Sequence, residues 1–300
     1  MNHFEVLYGQ LTKTLPHLEL RRDELMSHHT TFKVGGPARL MALPKTEDEV
    51  VSAVRLARES GIEPLFIGNG SNLLVDDRGL DAFVVKTVPG LSGWKAEGTQ
   101  ITAGCGLLLS ALAVEAARHS LTGLEFAWGI PGSVGGAVYM NAGAYGGEMC
   151  DVISACEALH LEKNTFRSIS IPREKLNFSY RHSRFSETGE TILSARFLLS
   201  PGNREEIWGR MDALMARRKE KQPLEYPSAG STFKRPEGSY AAALIEQCGL
   251  KGFSVGGAQV SEKHSGFLIN RDGATCEDVL RLIQKVQDEV WQKTGYRLEC

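Results

Sequence analysis

Residues 125–148 read EFAWGIPGSVGGAVYMNAGAYGGE. Seven glycines and four alanines crowd into this stretch, and its only charges are the glutamates at its two ends. Glycine weakens helices and strands, so such density belongs where backbone must come very close to something. Successive amide N–H groups in a glycine-rich turn form a concave, partly positive cradle that suits a phosphate. A second stretch of this character, Gly68-Asn69-Gly70-Ser71-Asn72, follows directly on the apolar run Pro64-Leu65-Phe66-Ile67. Tight turns and close strand packing would account for either loop alone. Two loops with Ser or Asn donors beside the glycines point instead to a long anionic ligand gripped at two places, such as a dinucleotide.

The usual dinucleotide fingerprint is nevertheless missing. Leu73 stands where the third glycine of GxGxxG belongs, and no acidic residue closes a strand about 20 residues later. GxxxxGK[ST], GxSxG and HExxH are absent as well, which removes nucleotide triphosphatases and the commonest hydrolases. With 300 residues, 42% hydrophobic and 23% charged, the chain reads as a soluble globular protein long enough for more than one domain. A net charge of −2 argues against a nucleic-acid partner. No apolar run nears the roughly 18–20 residues that cross a bilayer, and MNHFEVLYGQ lacks the basic start and apolar core of a secretory signal. A cytoplasmic protein without membrane insertion is expected. Six scattered cysteines form no CxxC pair and read as reduced thiols, with no metal site.

Periodicity predicts a helix and then a loop over 1–30, a short strand at 39–44, and a helix capped by Thr46 and Glu49 that ends at Gly61. Strands are expected at 62–67, 73–75, 82–85 and 100–104, a helix over 107–119, and strands near 153–161 and 191–199. Ser200-Pro201-Gly202 reads as a hinge. Beyond it come a helix capped by Asn203 and Glu206, a shorter one at 239–249 and a long one capped by Thr275 and Asp278, with strands around 253–260 and 266–270.

A third dense patch is LEYPSAGSTFKRP, residues 224–236. Prolines fix both flanks, and Ala229-Gly230 lets Ser231 project from a tight turn. Lys234 and Arg235 follow it and Lys221 precedes it, a grouping that suits an anionic substrate beside a polar proton source. By themselves, a serine is usually a solvated hydroxyl and Arg181 a surface arginine. The clustering is what raises Ser231 above that reading.

Taken in order, HTTFKVGGPA (29–38), GNGSNLL (68–74), GIPGSVGGAVYMNAGAYGGE (129–148), FSYRHS (178–183), PSAGSTFKRP (227–236) and GGAQVSEKHSGFLIN (256–270) closely resemble the UDP-N-acetylenolpyruvoylglucosamine reductase family, in its shorter-loop branch. The resemblance implies an α+β fold. An FAD-binding domain of the vanillyl-alcohol-oxidase (PCMH) type, in two subdomains at 1–88 and 89–201, precedes a substrate domain at 202–300. It implies FAD held by Gly68, Asn69, Gly70, Ser71 and Asn72 together with Ile130, Pro131, Gly132, Ser133, Gly135, Gly136, Ala137 and Asn141. Residues 68–74 hold no histidine, so the flavin is expected to be non-covalent. NADPH would be the co-substrate, and the reaction would reduce the enolpyruvyl ether of a UDP-sugar to UDP-N-acetylmuramate in a monomeric enzyme. Ser231 is implied as proton donor and Arg181 as the partner of the substrate carboxylate, with Tyr180, Lys221, Lys234, Arg235, His264 and Asn270 around the substrate. The family's C-terminal catalytic glutamate aligns one position past Cys300, so no residue here is assigned that role, Glu299 included. An oxidase of the same fold and a non-catalytic flavin or UDP-sugar module are the alternatives.

Overall fold

In the computed structural model, which describes residues 3–162 and 165–300, the chain forms two compact units. The first takes everything up to Arg22, then Arg39–Asn69 and Ala82–Ala216; the second takes Asp23–Ala38, Gly70–Asp81 and Arg217–Cys300.

The chain opens with helix α1 (His3–Thr14), strand β1 (Glu19–Leu25), strand β2 (Pro37–Leu43), helix α2 (Glu47–Glu59), strand β3 (Pro64–Ile67) and strand β4 (Leu80–Lys86). The four strands form one sheet in the order β1-β2-β4-β3, with β3 and β4 parallel. Helix α2 starts where its sequence says it should. Thr46 Oγ1 accepts the Glu49 amide at 3.2 Å and the Glu49 carboxylate accepts the Lys45 amide at 2.6 Å, leaving Val50, Ala53, Val54, Leu56 and Ala57 on the buried face. Leu7 and Leu11 of α1 join Leu40, Ala53, Phe83 and Val85 in one core.

Next come β5 (Trp94–Glu97), β6 (Gln100–Gly104), α3 (Leu109–Arg118) and α4 (Val134–Tyr139). An antiparallel five-stranded sheet runs Thr165–Pro172, Ile153–Glu162, Thr191–Leu198, β6, β5. The densest glycine stretch therefore holds a short helix. Val134, Ala137 and Val138 of α4 are buried in the same core as Ile101, Leu112, Ala195 and Phe197. That helix carries one wall of the site described below.

In the second unit the strands Ser228–Ser231, Phe267–Asn270, Ala258–Val260 and Ser254–Val255 pair antiparallel in that order. Phe233, Ile245, Leu268, Leu282, Val286 and Val290 fill its core together with Phe32 and Val34. The helix Cys276–Thr294 has the full Thr275/Asp278 capping box.

Several elements depart from expectation. The predicted loop after α1 contains β1, whose sequence ELRRDEL has no apolar alternation and stays largely exposed. Residues 73–75 form no strand; Leu74 packs on the second unit's core and Val75 is buried. β5 and the strand Thr165–Pro172 arise where none was predicted. The expected strand at 253–260 breaks into a hairpin at Gly256-Gly257.

The segment 70–81 has its own tie to the second unit. Both carboxylate oxygens of Asp77 accept amides from the first turn of the helix Cys276–Thr294, Cys276 at 2.8 Å and Glu277 at 3.2 Å. A carboxylate there satisfies two otherwise orphaned donors and complements the helix dipole. Asp77→Ala is expected to cost about 1 kcal/mol, a fall of roughly 2–4 °C in the calorimetric midpoint for a chain of this size. An unchanged midpoint would show that the cap is dispensable.

Candidate active site

In the first unit the two glycine motifs meet. The chain turns at Gly68 as it leaves β3, and a Cβ there would overlap the Ser133 hydroxyl, so a larger residue would require Ser133 to turn aside. Asn69 Nδ2 donates to the Pro131 carbonyl at 2.7 Å. The second motif is pinned by three backbone bonds, Leu109 N–H to Gly132 O (3.0 Å), Val134 N–H to Leu107 O (2.8 Å) and Gly135 N–H to Cys105 O (2.8 Å). Ser133 is buried and its Oγ accepts the Gly136 amide at 3.4 Å, capping α4. Ile130 N–H donates to Ala127 O, Ala137 is buried in the core, and Gly136 is exposed. Burial pushes the Cys105 thiol up to about 12, so the sulfur beneath Gly135 is packing rather than chemistry. Among the described residues, the amides of Asn69, Gly132 and Ser133 donate to no protein acceptor.

Asn141, just past α4, is buried and left-handed (φ 42°). Its Nδ2 donates to Glu148 Oε2 and to the Ser179 carbonyl, each at 3.1 Å, and its Oδ1 accepts the Cys150 amide at 3.0 Å. Both amide hydrogens and the carbonyl thus serve protein groups. Two more bonds tie the FSYRHS segment to the same place. Ser183 Oγ donates to Tyr139 O at 2.7 Å, and Arg181 Nη2 reaches Gly143 O at 3.4 Å. The Arg181 guanidinium lies 5.2 Å from the centre of the exposed Tyr180 ring. Glu148, Cys150 and Asp151 cluster nearby, but Cys150 Sγ already donates to Glu148 Oε1 (3.0 Å) and its thiol is pushed up to about 11 by burial and the carboxylate. The cluster reads as an internal network.

In the second unit, Gly70, Ser71 and Asn72 likewise have amides that donate to no protein acceptor among the described residues. Ser231 ends the strand Ser228–Ser231, and the register explains how it is presented. Ser228 pairs with Ile269 and Ser231 with Phe267, so Ala229 and Gly230 share the space opposite Leu268. That is a bulge, and Gly230 at φ +82° supplies the left-handed residue it needs. Sequence reading placed Ser231 in a turn; it sits instead on a bent strand. Its hydroxyl is exposed and, among the described residues, has no protein partner.

The remaining candidates of this unit divide by their bonding. Lys234 is anchored through its amide to the Glu299 carbonyl (2.7 Å), and its Nζ lies 3.6 Å from the Glu299 carboxylate. The Arg235 guanidinium sits 4.7 Å from the centre of the Tyr240 ring. Lys221 is exposed at the end of the helix Arg204–Lys221. His264 accepts the Gly266 amide on Nδ1 (3.2 Å) and meets Phe267 edge-on; burial holds it below the usual histidine range. Asn270 is a brace. Its Nδ2 donates to Phe32 O (3.2 Å) and its Oδ1 accepts the Ala274 amide (2.8 Å).

Each unit therefore offers a cluster of amides unclaimed among the described residues, a donor set that fits a dinucleotide diphosphate. Comparison with known proteins decides which one. A family model described as "FAD binding domain" matches residues 38–163, and one described as "UDP-N-acetylenolpyruvoylglucosamine reductase, C-terminal domain" matches residues 222–300. The UDP-N-acetylenolpyruvoylglucosamine reductase of Caldanaerobacter subterraneus subsp. tengcongensis is 48% identical over 294 residues, 98% of this chain and 96% of that protein. The Clostridium tetani enzyme is 46% identical over 298 residues, covering 99% and 96%. The chain belongs to this family. The crystal structure of the family's Thermus caldophilus member matches with a TM-score of 0.80 at 37% identity, over 94% of this chain and 97% of that one. A cholesterol oxidase of Brevibacterium sterolicum matches 62% of the chain and 38% of its own length, with a TM-score of 0.50 at 16% identity; the two share the fold alone. As a family member the chain is an FAD-dependent oxidoreductase of peptidoglycan synthesis, with the α+β, PCMH-type fold that the motifs imply.

Sequence reading missed Glu190, which fixes the far end of the Arg181 segment. Its side chain is 4% exposed and accepts Arg184 Nε (2.8 Å), Arg184 Nη2 (2.9 Å) and Thr188 Oγ1 (2.8 Å), with His160 Nδ1 at 2.9 Å. No motif marks it; a lone glutamate before a strand carries no signal. The Arg184 fork, against the opposing effect of burial, holds its carboxyl down at about 2 instead of 4.5. A folded-state value below the unfolded one means the stabilisation is complete above about pH 4.5 and is lost as pH falls towards about 2. Glu190→Gln is expected to cost on the order of 1–2 kcal/mol at pH 7, since Arg184 remains partly solvated. Urea melts should show the gap to wild type closing across that window; a pH-independent gap would reject the ionic account.

Proposed function

We propose that this chain reduces the enolpyruvyl ether of UDP-N-acetylglucosamine enolpyruvate to UDP-N-acetylmuramate, with NADPH as the source of hydride. The observation that carries the reading is the exposed hydroxyl of Ser231 on its glycine bulge, without a protein partner among the described residues and three and four positions before Lys234 and Arg235. Bound FAD would relay hydride from NADPH to the methylene carbon of the substrate. The amides of Asn69, Gly132 and Ser133, and those of Gly70, Ser71 and Asn72, are the donors we assign to its diphosphate. Ile130, Pro131, Gly135, Gly136 and Ala137 shape the turn that presents the first set.

Hydride arrival leaves negative charge on the adjacent carbon and the carboxylate of the substrate. Arg181, a guanidinium donor on a left-handed backbone (φ 57°), supports that charge. Ser231 Oγ–H then forms the new C–H bond, and its oxygen keeps the O–H electron pair as an alkoxide. A serine hydroxyl is a weak acid, so this works only against a strongly basic carbon with cations near the alkoxide, the part given to Lys234 and Arg235. Tyr180, Lys221 and His264 are assigned to the UDP-sugar, while Asn141 and Asn270 act as braces behind the cofactor and substrate segments. The division of labour follows as 1–88 and 89–201 for flavin and 202–300 for substrate, in a cytoplasmic monomer whose oligomeric state sedimentation velocity would check.

Ser231→Ala tests the assignment. Anaerobic NADPH should bleach the flavin at the wild-type rate, whereas reoxidation by the enolpyruvyl substrate should slow about 10²-fold or more. Wild-type reoxidation would reject Ser231 as the donor, and bleaching by an alcohol in place of NADPH would favour an oxidase.

A further inference from the structure

Thr31 is not a charged residue, lies outside the glycine loops and was not among the expected site residues. It nevertheless joins one of those loops to the strand that ends in Ser231. Within the second unit its amide donates to the Gly70 carbonyl at 3.1 Å, and its Oγ1 donates to the Ser228 carbonyl at 2.7 Å. One carbonyl belongs to the loop assigned to the FAD diphosphate, the other to the first residue of the bulged strand that ends in Ser231. We infer that Thr31 is a positioning residue that sets Ser231 relative to the flavin loop.

The turn around Thr31 is stiff enough to transmit position. Thr30, 2% exposed, donates through Oγ1 to Val34 O at 3.0 Å, and Lys33 N–H closes on Thr30 O at 3.2 Å. His29 Nε2 lies 2.7 Å from Glu24 Oε1. On one side a Cβ at Gly70 would overlap the His29 carbonyl, so loop and turn are in backbone contact. On the other side Asn270 holds Phe32 O, and its own amide donates to Pro227 O, next to Ser228. The chain from Gly70 through Thr31 to Ser228 is therefore a continuous run of short polar contacts. Its one side-chain link that a single substitution can remove without touching the backbone is the Thr31 hydroxyl. The Gly70 bond uses the amide and survives any non-proline substitution.

That asymmetry makes the inference testable, and it rests on the reading that Ser231 is the donor. Thr31→Val keeps shape and amide but loses the hydroxyl. FAD affinity of the flavin-free protein, titrated by fluorescence, should stay within about threefold, while amide exchange of residues 228–232 in that same protein speeds about tenfold, the worth of one hydrogen bond. Flavin bleaching by NADPH should be unchanged, reoxidation by substrate should fall about tenfold, and Thr31→Ser should restore both exchange and reoxidation. Combining Thr31→Val with Ser231→Ala should be no slower than Ser231→Ala alone, since one acts through the other. Equal slowing of both half-reactions, unaltered reoxidation, unaltered exchange or no rescue by serine would each overturn the role of Thr31. If Ser231→Ala itself reoxidises normally, the assignment of Ser231 fails first. Should Thr31→Val not fold, Thr31→Cys, with a weaker donor in the same place, is expected to give the same pattern to a smaller degree, and wild-type behaviour there would count against the inference.

Discussion

The site depends on the place where the turn after β3 lies against Ser133. A Cβ at Gly68 would run into the Ser133 hydroxyl, and the Asn69 side chain closes the gap by donating its Nδ2 to the Pro131 carbonyl at 2.7 Å. This crossing brings together two motifs that are more than sixty residues apart and shapes the wall we propose for the cofactor. It also fixes what the glycines are for. Gly68 is needed by the protein's own packing, and the ligand benefits indirectly, because backbone forced this close leaves amides that secondary structure does not use.

Behind that wall, buried polar side chains do the holding. Asn141 uses its whole amide to bind the Glu148, Cys150 and Ser179 positions together, and Ser183 ties the Arg181 segment to the end of α4. A fully satisfied buried amide rigidifies, whereas the same residue with a free donor would be a liability. The backbone on either side of Arg181 is thereby tied to the end of α4 and the residue just past it. The left-handed backbone of Arg181 is compatible with this, since a non-glycine residue holds φ near +57° only where surrounding contacts over-determine it.

How much of this was legible depended on whether a feature is local. The caps at Thr46 and Thr275 were readable because the partner of each lies three residues on. The glycine loops and the Ser231 patch were readable because composition alone sets them apart. β1 was not, because ELRRDEL has neither alternation nor a buried face. Nor was the destination of residues 70–81. Leu73-Leu74-Val75 looks like strand, and what draws it elsewhere is Asp77 capping a helix about two hundred positions away, which no window on the sequence contains. Glu190 and Thr31 escaped for the same reason: their importance lies entirely in partners made by the fold.

The role we propose for Ser231 rests on what a proton donor must be. A hydroxyl already donating inside the protein would have to break that bond before reaching a substrate carbon, and one buried in apolar surroundings would meet no stabilisation for the alkoxide. Ser231 avoids both. The bulge at Gly230 bends the strand so that the residue faces outward, its backbone is registered against Phe267, and its oxygen is left free. The cations that follow it in sequence are restrained in different ways. Lys234 is held through its backbone to Glu299, and Arg235 by the face of Tyr240. Charge placed by packing would cost no reorganisation in the proton transfer we propose for Ser231, which is what would let so weak an acid serve at neutral pH.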